Sequence, residues 1–315
     1  MFQTPILLLI FNRPDTTKIV FEQIRKIKPK YLYVAADGAR KDKEGEYELC
    51  EQTRAVISNI DWDCQLKTLF REENLGCGKG PSNAINWFFS QVDQGIILED
   101  DCLPNNSFFN FCDYLLEFYK NEPTIMHIGG TNSQFGKKRG KATYYFSKYP
   151  HIWGWATWKK SWEHFKFSFT DDDEKKLETI FNEYQFTEKE KKYWLEHWSV
   201  IKDGNREDIW DMQWTFSCWL NKGITIVPNH NLIANIGFNK DATHTTFTDS
   251  KLANLPTEEI STIKHPDVLS IDKKADFYTF SNYNLLEPPM ISKIKNWISS
   301  KIPVPIKDNL KKIIR

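Results

Sequence analysis

The chain has 315 residues, and its 42 Lys and Arg residues balance its 42 Asp and Glu residues, so the formal net charge is zero. A protein dedicated to nucleic acid needs a basic excess, so we expect no nucleic-acid partner. Hydrophobic residues make up 40% of the chain and aromatic residues 15%, enough to bury the core of one large domain or two modest ones. No apolar stretch reaches the ~20 residues of a membrane span.

The six cysteines are scattered and form no Cys-x-x-Cys pair, so a structural zinc site is not expected. The apolar run Pro5–Phe11 lacks a basic leader and a cleavage site. We therefore interpret it as a buried strand rather than a signal peptide. These two features predict a cytoplasmic protein in a reducing compartment.

Strand and helix patterns alternate over residues 1–120. Continuous apolar or β-branched runs predict strands at Pro5–Phe11, Tyr31–Ala36, Gln65–Phe70 and Gly95–Leu98. Helices are expected from Pro14, near Lys43–Asn59 and near Pro81–Gln91, the last preceded by a glycine-rich turn at Gly76–Gly80. This alternation predicts an α/β fold with a Rossmann-like, mixed and mainly parallel sheet flanked by helices.

The second part of the chain is more aromatic. Its predicted elements are a strand at Met126–Gly129, a Trp- and Gly-rich segment at Lys148–Trp162, an exposed pair of charged helices within Asp171–Asn205, an aromatic helix at Ile209–Asn221 and a strand at Ile224–Pro228.

Residues 286–315 form a basic amphipathic tail. From Met290 onward it carries seven Lys and Arg residues against one acid, with isoleucines between them and interruptions at Pro303 and Pro305. Such a segment can pack back on the domain as a helix, or it can contact an anionic membrane surface and make the protein peripheral at the inner face of the cell membrane. The sequence leaves both interpretations open.

Three adjacent carboxylates, Glu99, Asp100 and Asp101, follow the fourth predicted strand. Ligands of open α/β sheets bind at the carboxyl ends of the strands. Like charges this close repel one another, and a cation that prefers hard oxygen ligands, Mg²⁺ or Mn²⁺, would offset the repulsion. A solvated acidic turn or a helix cap is the structural alternative.

Several separate stretches together resemble one family. They are Phe11-Asn12-Arg13-Pro14, Asp37-Gly38, Asn74-Leu75-Gly76, Leu98-Glu99-Asp100-Asp101, Trp153-Gly154-Trp155 and Trp210-Asp211-Met212-Gln213-Trp214. In this order the chain resembles glycosyltransferases of the GT-A fold. It is similar to the N-acetylglucosaminyltransferase I type, which carries Glu-Asp-Asp, and to bacterial transferases of surface-polysaccharide assembly. The resemblance implies one GT-A catalytic domain over residues 1–285, with a nucleotide-binding half at 1–120 and an acceptor-side half at 121–285.

The resemblance also implies roles on the donor side. Asp101 would bind the metal, Mn²⁺ or Mg²⁺, while Glu99 and Asp100 would hold the ribose or the sugar. Asp37 would face the nucleobase and Arg13 the nucleotide, whose phosphate its guanidinium can grip with two hydrogen bonds. The alternatives are a surface salt bridge for Arg13 and a turn residue for Asp37.

Asn74, Gly76 and Lys79 belong to the glycine-rich segment before the third helix. Glycines before a helix let backbone N–H groups approach an anion, and Lys79 would add positive charge. The segment does not match a Walker A loop. A tight turn with helix packing is the equally weighted alternative.

On the acceptor side, Trp153, Gly154 and Trp155 resemble a family segment that lines the donor and acceptor site. Asp211 resembles the general base of an inverting transfer, although Met212 replaces the second acid of the family's segment. Asp208 is the substitute candidate. His244 would be a late metal ligand by the same resemblance; a histidine in an ordinary polar loop is the alternative.

The implied activity is metal-dependent transfer of a sugar from a nucleotide-sugar, most often a UDP-sugar, to a glycan or lipid-linked acceptor. Two alternatives stay open. A sugar-phosphate nucleotidylyltransferase shares the nucleotide fold but has a glycine-rich loop after its first strand, where this chain has Asn12-Arg13-Pro14. A GT-A domain without catalysis could instead bind sugars or partner proteins.

Overall fold

A computed structural model describes residues 1–204, 206–238 and 251–283. The strands within these ranges are β1 (Ile6–Ile10), β2 (Tyr31–Ala36), β3 (Gln65–Phe70), β4 (Gln94–Glu99), β5 (Cys102–Pro104), β6 (Ile125–Gly129), β7 (Tyr144–Ser147), β8 (Trp155–Trp158), β9 (Ile224–Pro228) and β10 (Ile233–Asn235). The helices are α1 (Pro14–Ile27), α2 (Glu46–Ala55), α3 (Gly76–Phe89), α4 (Asn106–Phe118), α5 (Lys159–Trp162), α6 (Asp171–Glu183), α7 (Glu188–Ile201), α8 (Asp211–Leu220) and α9 (Lys273–Asn282). A short 3-10 helix at Val56–Asn59 follows α2.

Eight strands form one sheet in the order β3-β2-β1-β4-β8-β6-β9-β7. The pairs β1–β2, β2–β3, β1–β4 and β6–β9 are parallel, whereas β8 is antiparallel to β4 and β6, and β7 is antiparallel to β9. Helices flank this sheet, so the predicted α/β, Rossmann-like fold with a mixed, mainly parallel sheet is confirmed. Both predicted halves contribute strands to the same sheet, and the boundary between them stays a prediction.

The centre of the sheet is set by β1, whose five residues are all buried. A strand covered on both faces is typical of parallel sheets, where helices pack on each side. The chain steps outward from β1 to β2 and β3, then returns to place β4 on the other side of β1. The carboxyl ends of β1 and β4 therefore flank a topological switch point, where open α/β sheets bind ligands.

The glycine-rich segment is helical, which corrects the predicted turn. Helix α3 begins at Gly76 rather than near Pro81, so Gly76–Gly80 forms its first turns. A Cβ atom at Gly78 would lie 2.2 Å from the carbonyl oxygen of Glu207. At this position the glycine is required because the helix and the segment near Glu207 approach each other too closely for any side chain.

Helices α6 and α7 are not simply an exposed pair, which corrects a second prediction. Their inner faces join a buried aromatic cluster with α8, and its largest members are Phe181, Trp194, Trp198, Phe216 and Trp219. Only the outer faces carry the charges that dominate the sequence pattern. The sequences of α6 and α7 do contain an amphipathic pattern, but their many charged residues led to the prediction that both helices are exposed.

A buried ion pair anchors α7 to the end of the sheet. The side chains of Lys148 and Glu190 are 4% and 2% exposed, and Lys148 Nζ lies 2.8 Å from Glu190 Oε1. The hydroxyl of Tyr149 also donates a hydrogen bond to Glu190, which in addition accepts from Thr187 in a capping box. Such a pair costs free energy to desolvate, so each partner depends on the other.

None of the helices in the described ranges is both long and apolar enough to cross a bilayer. The tail at 286–315 lies outside those ranges, so both interpretations of it stay predictions.

We expect Glu190→Gln to destabilise the fold strongly. Gln can keep the capping hydrogen bonds but removes the carboxylate that pairs with the buried Lys148 ammonium, which costs about 3–5 kcal/mol of unfolding free energy. Urea denaturation measures the difference. Glu188→Gln is the matched control, because Glu188 pairs with Lys191 at the surface of the same helix, where ion pairs contribute little. Equal stability of the two variants would contradict the anchoring role.

Candidate active site at the carboxyl edge of the sheet

The acidic triplet lies at the switch point. Glu99 is the last residue of β4, and Asp100 and Asp101 form the turn into β5. Strands β5 and β10 form a separate antiparallel ribbon with Asn235 opposite Cys102, and the Ile236 N–H donates a 2.9 Å hydrogen bond to the Asp101 carbonyl. This ribbon, which the sequence analysis missed, fixes the turn that carries the acids.

Gly237 lies directly against Asp101. A Cβ atom at Gly237 would lie 2.0 Å from Asp101 Oδ2. The chain after β10 can therefore cross the carboxylate only because this residue has no side chain. Gly237 was not predicted to have a role, since a single glycine carries little signal by itself.

Arg13 bridges the two aspartates from the other side. Its Nη1 lies 2.7 Å from Asp101 Oδ2 and 3.5 Å from Asp100 Oδ1. The Phe11 N–H donates a 3.2 Å hydrogen bond to Asp100 Oδ2. Pro14 begins α1, and Arg13 before it lies outside the helical region with a φ of −121° and a ψ of 75°, because proline disfavours the helical conformation of the preceding residue. The Arg13 carbonyl accepts a hydrogen bond from the Thr17 N–H, and the backbone of Arg13 is therefore fixed next to the triplet.

Two carboxyl groups of the triplet, those of Glu99 and Asp100, resist ionisation. Burial, reinforced by the neighbouring carboxylates, raises the pKa of Glu99 to about 8 and the pKa of Asp100 to about 7. The positive charge of Arg13 opposes both shifts. The Oε1 atom of Glu99 is buried and has no hydrogen-bond partner among the residues that the structure describes. The end of β4 therefore carries a carboxyl group, that of Glu99, to which a cation could bind.

Asp211 lies near enough to Glu99 for its charge to act on that carboxyl group. It is the first residue of α8 and is partly buried, and its charge contributes to the raised pKa of Glu99. Asp208 instead forms a two-point ion pair with Arg206, at 2.6 and 2.7 Å, and is largely exposed. Of the two residues predicted as the general base, Asp211 is the one whose charge contributes to the raised pKa of Glu99 in the triplet.

The donor atoms suit a hard divalent cation. Among the residues the structure describes, no group of three His, Cys, Asp or Glu side chains is arranged to hold a metal ion. Mg²⁺ usually takes one or two carboxylates and completes its shell with water and substrate phosphates. Asp101, with Asp100 beside it, fits that pattern, and the unpartnered oxygen of Glu99 agrees with it. His244, the other predicted ligand, lies outside the described residues.

Asp37 caps helix α3. Its Oδ2 atom accepts hydrogen bonds from the N–H groups of Leu75 at 2.9 Å and Gly76 at 3.0 Å, and the Asn74 side chain donates to the Gly38 carbonyl. Burial raises the pKa of Asp37 despite these hydrogen bonds. The predicted approach of an anion to the glycine segment does not fit, because a carboxylate already occupies the amino terminus of α3. Contact between Asp37 and a nucleobase stays a prediction.

Lys79 extends away from that helix end. Its ammonium lies 2.5 Å from Glu207 Oε1 in an exposed ion pair. The predicted role of Lys79 as positive charge for an anion would require this pair to break. The ion pair therefore supports the alternative in which Gly76–Gly80 packs within the protein rather than binds an anion.

A second charged contact, which was not predicted from the sequence, lies in the loops after β1 and β2. Buried Glu46 accepts hydrogen bonds from the Arg40 backbone N–H at 2.7 Å and from the Asn12 side chain at 3.0 Å. The guanidinium of Arg40 lies 5.7 Å from the centre of the Phe11 ring. Together these contacts join the loop after β2 to the loop after β1. Arg40 follows the Asp37-Gly38 motif closely, which was the available signal.

Trp155 is a core residue, which corrects its predicted contact with a sugar. Its ring is fully buried and stacks on His127 at 4.8 Å and on Trp210 at 5.9 Å between ring centres. His127 accepts a hydrogen bond from the Trp214 indole and donates one to the His151 carbonyl. Burial lowers the pKa of His127 to about 3, so it remains neutral. No face of Trp155 is open to a ligand.

The predicted contact of Trp153 and Gly154 with an acceptor stays a prediction. Gly154 has a φ of +62°, and a Cβ there would lie 2.5 Å from Ile233 Cδ1. Trp153 is half-buried, and its ring packs edge-on against Phe238 at 5.7 Å and Tyr283 at 6.1 Å. Phe238 and Tyr283 were not predicted, because aromatic residues far apart in sequence give no local pattern.

No known family model matches the chain, and no curated protein matches it either. Three similar solved structures are HddC from Yersinia pseudotuberculosis, a putative glucose-1-phosphate thymidylyltransferase from Bacillus anthracis in complex with a sucrose, and 4-diphosphocytidyl-2C-methyl-D-erythritol synthase from Anaerococcus prevotii. Their identities to this chain are 10%, 9% and 8%, with TM-scores of 0.28, 0.32 and 0.29. The matches cover 51%, 51% and 59% of this chain, and 78%, 74% and 78% of theirs. Likeness at this level does not carry an activity from one protein to another.

We expect the unfolding free energy to fall as pH rises, in part through Glu99. Its pKa is raised from 4.5 to about 8, so the folded chain keeps a proton that the unfolded chain releases. The stability this gives is complete below pH ~4.5 and is lost as pH rises through ~8. Glu99→Gln copies the protonated form and should therefore exceed the wild type at pH 9 by on the order of 2–4 kcal/mol, but not at pH 5.

Urea denaturation at both pH values, with EDTA present, measures this difference. Glu117→Gln on the surface of α4 is the control and should follow the wild type. A Glu99→Gln variant that shows no extra stability at pH 9 would contradict the burial of an ionisable Glu99.

Proposed function

We propose that the chain is a metal-dependent glycosyltransferase that uses a nucleoside-diphosphate sugar, with a UDP-sugar as the first donor to test. One observation carries the proposal: Arg13, Asp100 and Asp101 meet at the switch point of the sheet, where the charge of Asp211 also acts on Glu99. Positive and negative groups thus stand side by side where a diphosphate and a cation would have to meet. The triplet also supports the likeness to the N-acetylglucosaminyltransferase I type.

The residues divide the work of the reaction. A cation held by Asp101 would neutralise the diphosphate and make it a better leaving group. Arg13 would bind a phosphate oxygen through its guanidinium, and Glu99 and Asp100 would orient the ribose or the sugar. Asp211 would take the proton from an acceptor hydroxyl as that oxygen attacks the anomeric carbon, and a single displacement inverts the configuration.

The acceptor would lie against the wall formed by Trp153, Phe238 and Tyr283. Aromatic rings present apolar faces and edges that suit the C–H surfaces of a sugar. We propose a glycan or lipid-linked saccharide as the acceptor. Contact of the basic tail at 286–315 with an anionic membrane would bring the enzyme to a lipid-linked one.

A sugar-phosphate nucleotidylyltransferase is the second candidate. Two of the solved structures have names of nucleotidyl-transferring enzymes, and such an enzyme would use the same sheet edge and the same cation. The connection from β1 to α1 favours the first candidate, because it is only Phe11, Asn12 and Arg13. The N–H of Phe11 is donated to Asp100, and Pro14 has none, so little backbone is left to hold a triphosphate.

Nucleotide binding is the first test. We expect UDP with Mn²⁺ to raise the melting temperature, since ligand at a hundred times its Kd adds about 2.7 kcal/mol of stability. The shift should need Mn²⁺ and should vanish in Asp101→Ala. GDP, CMP and ADP run in parallel as controls for base preference. The absence of any shift would favour a non-catalytic domain that binds sugars or proteins.

Product analysis then separates the two enzymes. Slow, metal-dependent release of UDP from a UDP-sugar supports the glycosyltransferase. Release of pyrophosphate from UTP with a sugar phosphate would establish the nucleotidylyltransferase instead.

We expect Asp211→Asn to lower kcat by roughly 10²–10⁴-fold, because the amide cannot accept the proton of the attacking hydroxyl. The Kd for UDP should stay near the wild-type value, since Asp211 has no role in nucleotide binding. Asp208→Asn is the matched control and should keep its activity. Normal turnover in Asp211→Asn, or a loss confined to Asp208→Asn, would overturn the assignment of the base.

A further inference from the structure

We infer that Arg13 pairs with Asp101 in the free protein and that a bound diphosphate draws the guanidinium away from Asp101, so that metal and nucleotide bind cooperatively. The inference rests on the proposed function and deepens it. It assigns part of the coupling between the two ligands to the Arg13 side chain, an assignment that the proposed function alone does not make.

Arg13 contacts the carboxylate oxygen that would bind the metal. Arg13 Nη1 lies 2.7 Å from Asp101 Oδ2, the oxygen against which Gly237 also packs. That oxygen is therefore enclosed by the guanidinium on one side and by backbone on another. A divalent cation bound to the same atom would lie within a few ångströms of the guanidinium, where two positive charges repel strongly. Arg13 and the metal thus compete for one oxygen.

Arg13 also affects the charge of the triplet. Arg13 acts on all three carboxyl groups of the triplet, and its own pKa is raised by Asp100, Asp101 and Glu99 although burial opposes this. In the free protein Arg13 therefore does part of what a cation would do. Once it leaves, the aspartates face each other without compensation, and their affinity for a metal rises.

A diphosphate would draw the Arg13 side chain away from Asp101. The backbone of Arg13 is fixed at the start of α1, but its side chain is 23% exposed and can rotate. A diphosphate offers a guanidinium two parallel charge-assisted hydrogen bonds, which a pair of separate aspartate oxygens does not match as well. Nucleotide binding thus frees Asp101 for the metal. By linkage, metal binding favours the nucleotide to the same extent.

The test is a titration of the full chain with Mn²⁺, followed by electron paramagnetic resonance of the free ion, with and without saturating UDP. In the wild type we expect UDP to raise Mn²⁺ affinity by roughly 5–150-fold, the usual range of such coupling. In Arg13→Gln we expect Mn²⁺ alone to bind several-fold more tightly than in the wild type, and UDP to raise the Mn²⁺ affinity by a smaller factor than it does in the wild type.

Two further variants keep the result interpretable. Arg25→Gln removes an arginine from the same helix that pairs with Asp61 at the surface, and should behave as the wild type. Arg13→Lys keeps the charge but cannot grip a phosphate with two parallel hydrogen bonds. It should keep weak binding of Mn²⁺ alone and lose most of the coupling, and it serves if Arg13→Gln fails to fold.

The outcomes are distinct. Unchanged or weaker Mn²⁺ binding in Arg13→Gln, or full coupling retained there, would overturn the role of Arg13 while leaving the proposed function intact. A wild-type chain that binds neither Mn²⁺ nor UDP would overturn the proposed function, and this inference with it.

Discussion

Repulsion among three adjacent carboxyl groups is the constraint on which the site depends. Glu99, Asp100 and Asp101 follow one another at the end of a buried strand, where water cannot disperse their charge. Three features of the site reduce that repulsion. The guanidinium of Arg13 and the backbone N–H of Phe11 stabilise the aspartates, and the raised pKa of Glu99 keeps a proton on the third acid.

The sheet supplies the precision that this balance needs. Because β1 and β4 are paired in parallel, with Leu9 opposite Glu99, the loop bearing Arg13 and the turn bearing the acids leave the sheet side by side. Beneath the site, the stack of Trp155 on His127 fills the space between β8 and α8 without exposing a polar atom to a ligand. Asp211 begins α8, so the packing of that helix also fixes the distance between the proposed base and the triplet.

Much of this arrangement could be predicted from the sequence, where buried runs between turns identify strands. The bounds of β2, β3 and β9 agree with the prediction residue for residue. Local patterns failed where a tertiary contact decided the outcome. Gly78 by itself indicates a turn, but its contact with Glu207 places it in a helix. Trp155 by itself suits a sugar, but four other rings, those of His127, Trp162, Trp210 and Trp214, surround it. The ribbon of β5 and β10 joins residues too far apart for any local pattern.

Gly237 illustrates how a site can be marked by a residue that does no chemistry. It contributes no charge and no side-chain hydrogen bond, yet the space beside Asp101 exists only while that position lacks a Cβ atom. Selection that preserves the carboxylate must therefore preserve the glycine as well. A pattern used to find other proteins built in this way would gain more specificity from pairing the acidic triplet with a distant glycine than from adding further charged residues to it.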